Sequence, residues 1–309
     1  MYRKPINLYL FFVRMVDLCK SFQHIMDADL SPVTKRTYLE RLHYIIQNTK
    51  TDLYDILTHP EKYTKWISDN FSSLQTQKSY LSAILAVFKH TPHLKEKEKT
   101  HYYQWYQEFK KVHEKIDERY KQNEPTKKQK DAYVPFQEIV AKRDSLPKGS
   151  KERLLLSLYT YLPPLRSDFN KVYLYTKSYK NYEEKNYILL FEPYTLVLND
   201  FKTKKTKEGY EKALPKELVE EIEASLEKQP RSWLFVDREN EPYISGSFTK
   251  WANRTLKNLF GKPLTISLIR HSYINHLDFN NLTVKEKETI AKDMAHTVST
   301  QDRYRLIFN

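Results

Sequence analysis

Residues 264–277 read LTISLIRHSYINHL. Ile266, Ile269, Tyr273 and Leu277 recur at helical spacing and predict a packed helix. Arg270 falls among them, with His271 beside it. A guanidinium on a packed helix is rarely buried without an anionic partner. It belongs either to a structural ion pair or to an anion-binding site. Gly261 and Pro263 separate this helix from one expected at about 247–259. Helical patterns also cover about 135–145, 150–162, 215–228 and 284–296. Between them, NYILLFEPYTLVLND carries two β-rich runs broken at Glu192-Pro193, and GYEKALP reads as a third strand. The lysine-heavy FKTKKTKE forms the tip between the second and third strands. The second half is therefore expected to be mainly α with a small antiparallel β-sheet, an α+β domain.

The first half, residues 1 to about 120, reads almost entirely as helix. In SPVTKRTYLERLHYII, Ser31 suits an N-cap and Pro32 the first helical position, with Tyr38, Leu42 and Ile45 at helical spacing. SLQTQKSYLSAILAVFKH starts at Ser73 or Thr76 and aligns Tyr80, Ile84, Val87 and Phe88. HYYQWYQEFKKVHEKI places Trp105, Phe109 and Val112 inward; its aromatics serve core packing or stack on bases. Residues 118–134 are polar, lysine-rich and bounded by prolines, which reads as a basic linker or a surface loop. The expected division is a helical domain at 1–120, the linker at 118–134, and a second domain at 135–309.

At 309 residues the chain suits two domains. Its formal net charge of +13 points to a polyanionic partner, nucleic acid first and an anionic membrane surface second. Cys19 is the only cysteine, which excludes an intrachain disulfide and a cysteine-rich zinc site and suits an intracellular, reducing compartment. INLYLFFV near the N-terminus is too short to span a bilayer and lacks the small-residue cleavage site of a signal peptide. No Walker motif or acidic metal cluster stands out in the sequence.

Three further boxes carry candidate chemistry. YLPPLRSDF places Arg166 after a double proline, and NDFKTKKTKEGYEKALP places Lys202 in the hairpin. AHTVSTQDRYRLIFN places His296 eight residues before Tyr304. Each is ordinary alone: a surface arginine, solvated lysines, a histidine at a helix end, a packing tyrosine. In the order Arg166, Lys202, Arg270-His271, His296, Tyr304, they resemble the tyrosine recombinase, or phage integrase, family. SPVTKRTYLERL and LQTQKSYLSAILAVF are similar to helices of that family's core-binding domain. The resemblance implies a helical core-binding domain followed by a tyrosine-recombinase catalytic domain. KTKKTKEGYEKAL is similar to the family's hairpin and favours Lys202 over Lys204, Lys205 or Lys207. The PPLRSDF box resembles recombinases of large DNA viruses, virophages and eukaryotic mobile elements. That implies viral genome integration, in a host cytoplasm or nucleus.

The resemblance implies site-specific cutting and rejoining of double-stranded DNA, within a tetramer of this chain on synapsed DNA and without a membrane partner. Arg166 and Arg270 would clamp the phosphate oxygens, since planar guanidinium forks match phosphate bidentately. Tyr304 would attack phosphorus and form a 3′-phosphotyrosyl link. A free tyrosine has a pKa near 10, so the surrounding cations would have to stabilise its phenolate. Lys202 would protonate the leaving 5′-hydroxyl, and His296 would hydrogen-bond the phosphate. The covalent link conserves the phosphodiester energy, so no cofactor, ATP or metal is implied.

Two positions depart from the family pattern. Ser267 stands where a histidine is usual, three residues before Arg270; its hydroxyl can donate to a phosphate but is no neutral-pH base. Ser267 and His271 are expected to be supporting residues at most, with the phenolic proton passing through water or His271. The usual acidic residue three positions after the first arginine is Phe169 here, and Asp168 lies about 100° away on a helix. Two other functions fit the same boxes: a type IB topoisomerase, and a catalytically weak DNA-binding accessory protein. After Tyr304 only RLIFN remains, so the tail is expected to contribute weakly to assembly, with the apolar segment around Leu8–Leu18 as a candidate substitute.

Overall fold

The computed structural model describes residues 22–201, 209–279 and 281–308. The chain divides into two compact units, Met1–Tyr120 and Lys121–Asn309. The segment around Leu8–Leu18, Cys19 and the hairpin lysines from Lys202 to Lys207 lie outside the described residues.

The first unit is helical: α1 (Gln23–Asp27), α2 (Pro32–Thr49), α3 (Leu53–Thr58), α4 (Pro60–Asn70), α5 (Leu74–His90), α6 (Pro92–Lys97) and α7 (Lys99–Lys121), whose last residue crosses the boundary. Local chemistry sets its starts. Ser31 Oγ accepts from Thr34 N at 3.2 Å with Pro32 at the first helical position. Ser73 Oγ accepts from Thr76 N at 3.4 Å, so the start falls at Ser73 rather than Thr76. Leu39, Leu42 and Ile45 of α2 and Tyr80, Ile84 and Val87 of α5 are buried in one core. Each such side chain contributes roughly 1.5–3 kcal/mol of burial. Trp105 is fully buried and donates Nε1–H to Leu57 O at 3.0 Å. Its neighbours Tyr103 and Tyr106 are exposed, at 53% and 44%. The aromatic box is thus split between core and surface.

The second unit holds α8 (Lys127–Ala132), α9 (Phe136–Ser145), α10 (Lys151–Thr160), α11 (Lys216–Lys228), α12 (Ser245–Phe260), α13 (Ile266–His276), α14 (Val284–Asp293) and α15 (Val298–Asp302). Its sheet has the order β1-β2-β3-β4, from β1 (Tyr173–Tyr175), β2 (Asn186–Leu189), β3 (Thr195–Leu198) and β4 (Tyr210–Ala213). Ile188, Leu196 and Leu198 of the sheet share a core with Leu155 and Leu158 of α10, Ile222 of α11, Phe248 of α12 and Ile269 of α13. Arg153 of α10 grips Glu221 of α11 with both forks of its guanidinium, at 2.7–2.9 Å. No helix of the described residues is long and apolar enough to cross a membrane.

Three expectations are corrected. The sheet is mixed, not purely antiparallel: β2–β3 and β3–β4 are antiparallel, but β1 runs parallel to β2 in the register Tyr173↔Tyr187. A three-residue strand joined by a crossover leaves no hairpin signal in sequence. The 118–134 segment, read as a basic linker or a surface loop, is helical over part of its length. α7 continues to Lys121, and Lys127–Ala132 is a helix with a capping box between Thr126 and Gln129. Finally, the helix expected over 284–296 stops at Asp293, because Ala295 takes a left-handed φ of 52°.

Candidate functional site

The break after α14 organises the site. It leaves the carbonyls of Met294 and Ala295 outside the helical ladder, where they need donors. Arg270 and Arg166 supply them. Arg270 Nη1 and Nη2 lie 3.4 and 3.3 Å from Met294 O, and Arg166 Nη1 lies 3.3 Å from Ala295 O. Arg270 Nη1 also donates to Pro164 O, in the double proline that precedes Arg166. Two arginines from distant boxes thus converge on one helix end, where the macrodipole favours positive charge.

Arg270 is 1% exposed. The partners found for it are backbone carbonyls and a histidine rather than a carboxylate. Its Nη2 donates to His296 Nδ1 at 2.8 Å. Because a guanidinium can only donate, Nδ1 accepts, and the proton of a neutral His296 ring sits on Nε2. Burial pulls the Arg270 guanidinium below arginine's usual range, and Arg166's like charge adds to this. Tyr304 and Asp168 act the other way and favour its charged form. Asp168 is itself buried, and its charge is also felt by Tyr159 and Tyr210. Displaced though it is from the expected helical position, it therefore adds negative charge beside Arg270.

Tyr304 follows α15, whose start Thr297 caps by accepting from Thr300 N at 3.3 Å. Its ring is half-buried, 4.6 Å from Arg270 Cζ and stacked on His296 at 5.4 Å with the planes 22° apart. His271 meets the ring edge-on at 4.9 Å and donates Nδ1–H to Tyr304 O at 2.7 Å. Burial pushes the His271 imidazole down to about 4, which keeps it neutral. The residues after Tyr304 fold back on the same unit. Asn275 bonds Leu306 at both its N–H and carbonyl, at 2.9 and 2.8 Å, and Phe308 packs on Tyr133 at 4.3 Å.

The structure therefore brings together Arg166, Arg270, His271, His296 and Tyr304. Ser267 is exposed on the first turn of α13, and among the described residues no hydrogen bond joins it to Tyr304 or the arginines. Lys202 lies outside the described residues. The chain entering that stretch is clamped by buried Asn186, whose Oδ1 accepts from Asn199 N at 3.0 Å and Asp200 N at 2.8 Å while its Nδ2 donates to Asp200 O at 2.8 Å. Sequence reasoning missed Asp293. Its carboxylate pairs with Lys212 at 2.6 Å and its carbonyl accepts from Tyr210 Oη at 3.0 Å, tying β4 to the helix end that carries His296. No local pattern signals a pair 81 residues apart.

No family model and no curated protein sequence matches this chain. Among solved structures it is similar to XerA recombinase, with 12% identity, 94% of this chain and 93% of that chain covered, and a TM-score of 0.44. It is also similar to XerH site-specific recombinase in a post-cleavage complex bound to palindromic difH substrate, with 14% identity, 88% and 76% covered, and a TM-score of 0.45.

Proposed function

We propose that this chain is a site-specific DNA recombinase that cuts and rejoins duplex DNA through a covalent 3′-phosphotyrosyl intermediate. The observation that carries the reading is the Arg270–His296–Tyr304 cluster: a fully buried guanidinium 2.8 Å from one ring and 4.6 Å from the centre of the other. A buried cation facing a half-exposed phenol is an arrangement that can bind a phosphate oxygen beside the phenolic nucleophile. Arg166 supplies the second cation of the clamp.

In this reading the Tyr304 oxygen forms a bond to phosphorus as the bond to the 5′-oxygen breaks. The phenolic proton leaves to water, since both site histidines are committed: His271 Nδ1–H to a carbonyl, and His296 Nδ1 to Arg270. His296 Nε2–H is then a donor suited to a phosphate oxygen. Lys202, assigned from its position in the sequence alone, protonates the departing 5′-oxygen. Rejoining reverses these steps, and a tetramer on two duplexes exchanges strands.

The test is incubation with a pool of random-sequence duplexes, each nicked a few nucleotides past the core so that the released 5′-fragment is lost. The expected result is a protein–DNA adduct that survives denaturant, is absent in Tyr304→Phe, and enriches one sequence. An adduct that persists in Tyr304→Phe overturns the role of Tyr304. Relaxation of arbitrary supercoiled plasmids with no sequence enrichment would instead identify a type IB topoisomerase.

A further inference from the structure

The segment read from sequence as a linker reaches the centre of the site. Gln129 lies on α8, and its Oε1 is occupied: it accepts from Thr126 N at 2.8 Å and from Thr126 Oγ1 at 2.9 Å. The amide's other end is therefore its NH2 group, which lies 3.4 Å from His271 Nε2. An NH2 group only donates, so Nε2 accepts and the imidazole proton is on Nδ1. That proton is the one donated to Tyr304 O at 2.7 Å. If the proton moved to Nε2, Gln129 NH2 would face N–H, and Tyr304 O would face a lone pair.

We propose that Gln129 is a positioning residue for Tyr304. Through its amide it holds His271 as the Nδ1–H tautomer, and that hydrogen bond sets the backbone of the nucleophile. Two neighbouring contacts fasten the same two stretches of chain together. Asn123 O accepts from Ile307 N at 2.9 Å, and Tyr133 packs against Phe308. Placement of Tyr304 thus depends on residues 123–133 as well as on α13. The charged and titratable groups facing the His271 ring are few. Arg270, on the same helix, disfavours the imidazolium, and the Tyr304 phenol meets the ring edge. Gln129, from α8, is uncharged. The inference deepens the recombinase reading and rests on it for its catalytic consequence.

Gln129→Glu separates positioning from helix stability. Glutamate at this place preserves the capping box, so α8 keeps its start. It removes the NH2 donor and sets a carboxylate against His271 Nε2. That favours a protonated ring, which still donates Nδ1–H at low pH, and a ring that loses this donor as the pH rises. The first arm uses the full chain with ¹⁵N-labelled histidine and no DNA. The wild type should show His271 with Nδ1 protonated and Nε2 bare between about pH 6 and 8, and the variant a ring that titrates within that window. A wild-type ring protonated on Nε2, or a variant spectrum identical to wild type, overturns the proposal. The second arm measures single-turnover adduct formation on the enriched nicked duplex. The variant should be slowed roughly tenfold at about pH 8 and recover towards wild type at about pH 6, with DNA affinity unchanged. Equal rates at both pH values, or an equal loss at both, reduces Gln129 to a helix cap. If the wild type forms no adduct on any duplex, the recombinase reading fails, while the spectroscopic arm still decides the relay.

Discussion

Replacing Arg270 by lysine keeps the charge and removes the planar fork. Arg270 makes four donations: one to Pro164 O, two to Met294 O at 3.3–3.4 Å, and one to His296 Nδ1 at 2.8 Å. An ammonium on a shorter stem keeps at most two of these, because its donors do not lie in one plane. Hydrogen bonds to charged groups contribute about 1.5–3 kcal/mol each, so losing two costs at least about 3 kcal/mol. The carbonyl of Met294 would then be left under-satisfied in the core. With a urea dependence of about 2 kcal/mol per molar, the unfolding midpoint of the second unit should fall by roughly 1.5 M. The assay is hydrogen exchange read by mass spectrometry in rising urea, which separates peptides of α10 and α13 from peptides of α2 and α5. Peptides of the second unit should lose protection early, while those of the first keep their midpoint. A fall of less than about 0.5 M would show that the fork is not what secures the Met294–His296 break, and would undercut the geometry on which the cluster rests.

Other perturbations follow from the same contacts. Glu221→Gln breaks the bidentate grip on Arg153, whose side chains are 5% and 17% exposed; the expected loss is about 3 kcal/mol, read as a drop of roughly 6–12 °C in melting temperature. Asp293→Ala removes a partly exposed pair with Lys212 but keeps the Tyr210 bond to the residue 293 carbonyl, so stability should change by only about 1 kcal/mol while adduct formation falls modestly, because one of the two ties between β4 and the helix end beside His296 is lost. His271 has its folded pKa at about 4, below the roughly 6.5 of an unfolded histidine, so the unfolded chain binds the extra proton between those values. Its contribution is therefore complete above about pH 6.5 and lost as the pH falls toward 4, at most about 3 kcal/mol, and urea midpoints of His271→Asn should be flatter across that window than those of the wild type.

The letters of the sequence were enough where the physics is local. Ser31, Pro32 and Ser73 start helices through bonds that span three residues, and the periods of α2, α5 and α13 follow from which side chains must leave water. They also singled out Arg270, because a charge on a packed stripe demands an explanation. Its partners were beyond their reach. Pro164 and Met294 hold Arg270 through backbone carbonyls, which every residue carries, so no side-chain identity marks them as acceptors. The same holds for Ala295, whose carbonyl receives Arg166, and for Tyr304, whose carbonyl receives His271. Residues 127–132 look like a basic tether until Gln129 is seen to lie 3.4 Å from a ring 142 positions away. What the sequence determined was the elements and the identity of the charged and aromatic groups. What only the tertiary structure decided was the acceptors: the break at Ala295 exposes carbonyls there, and Arg270 of α13 and Arg166 from the segment after α10 come from distant places in the chain to meet them.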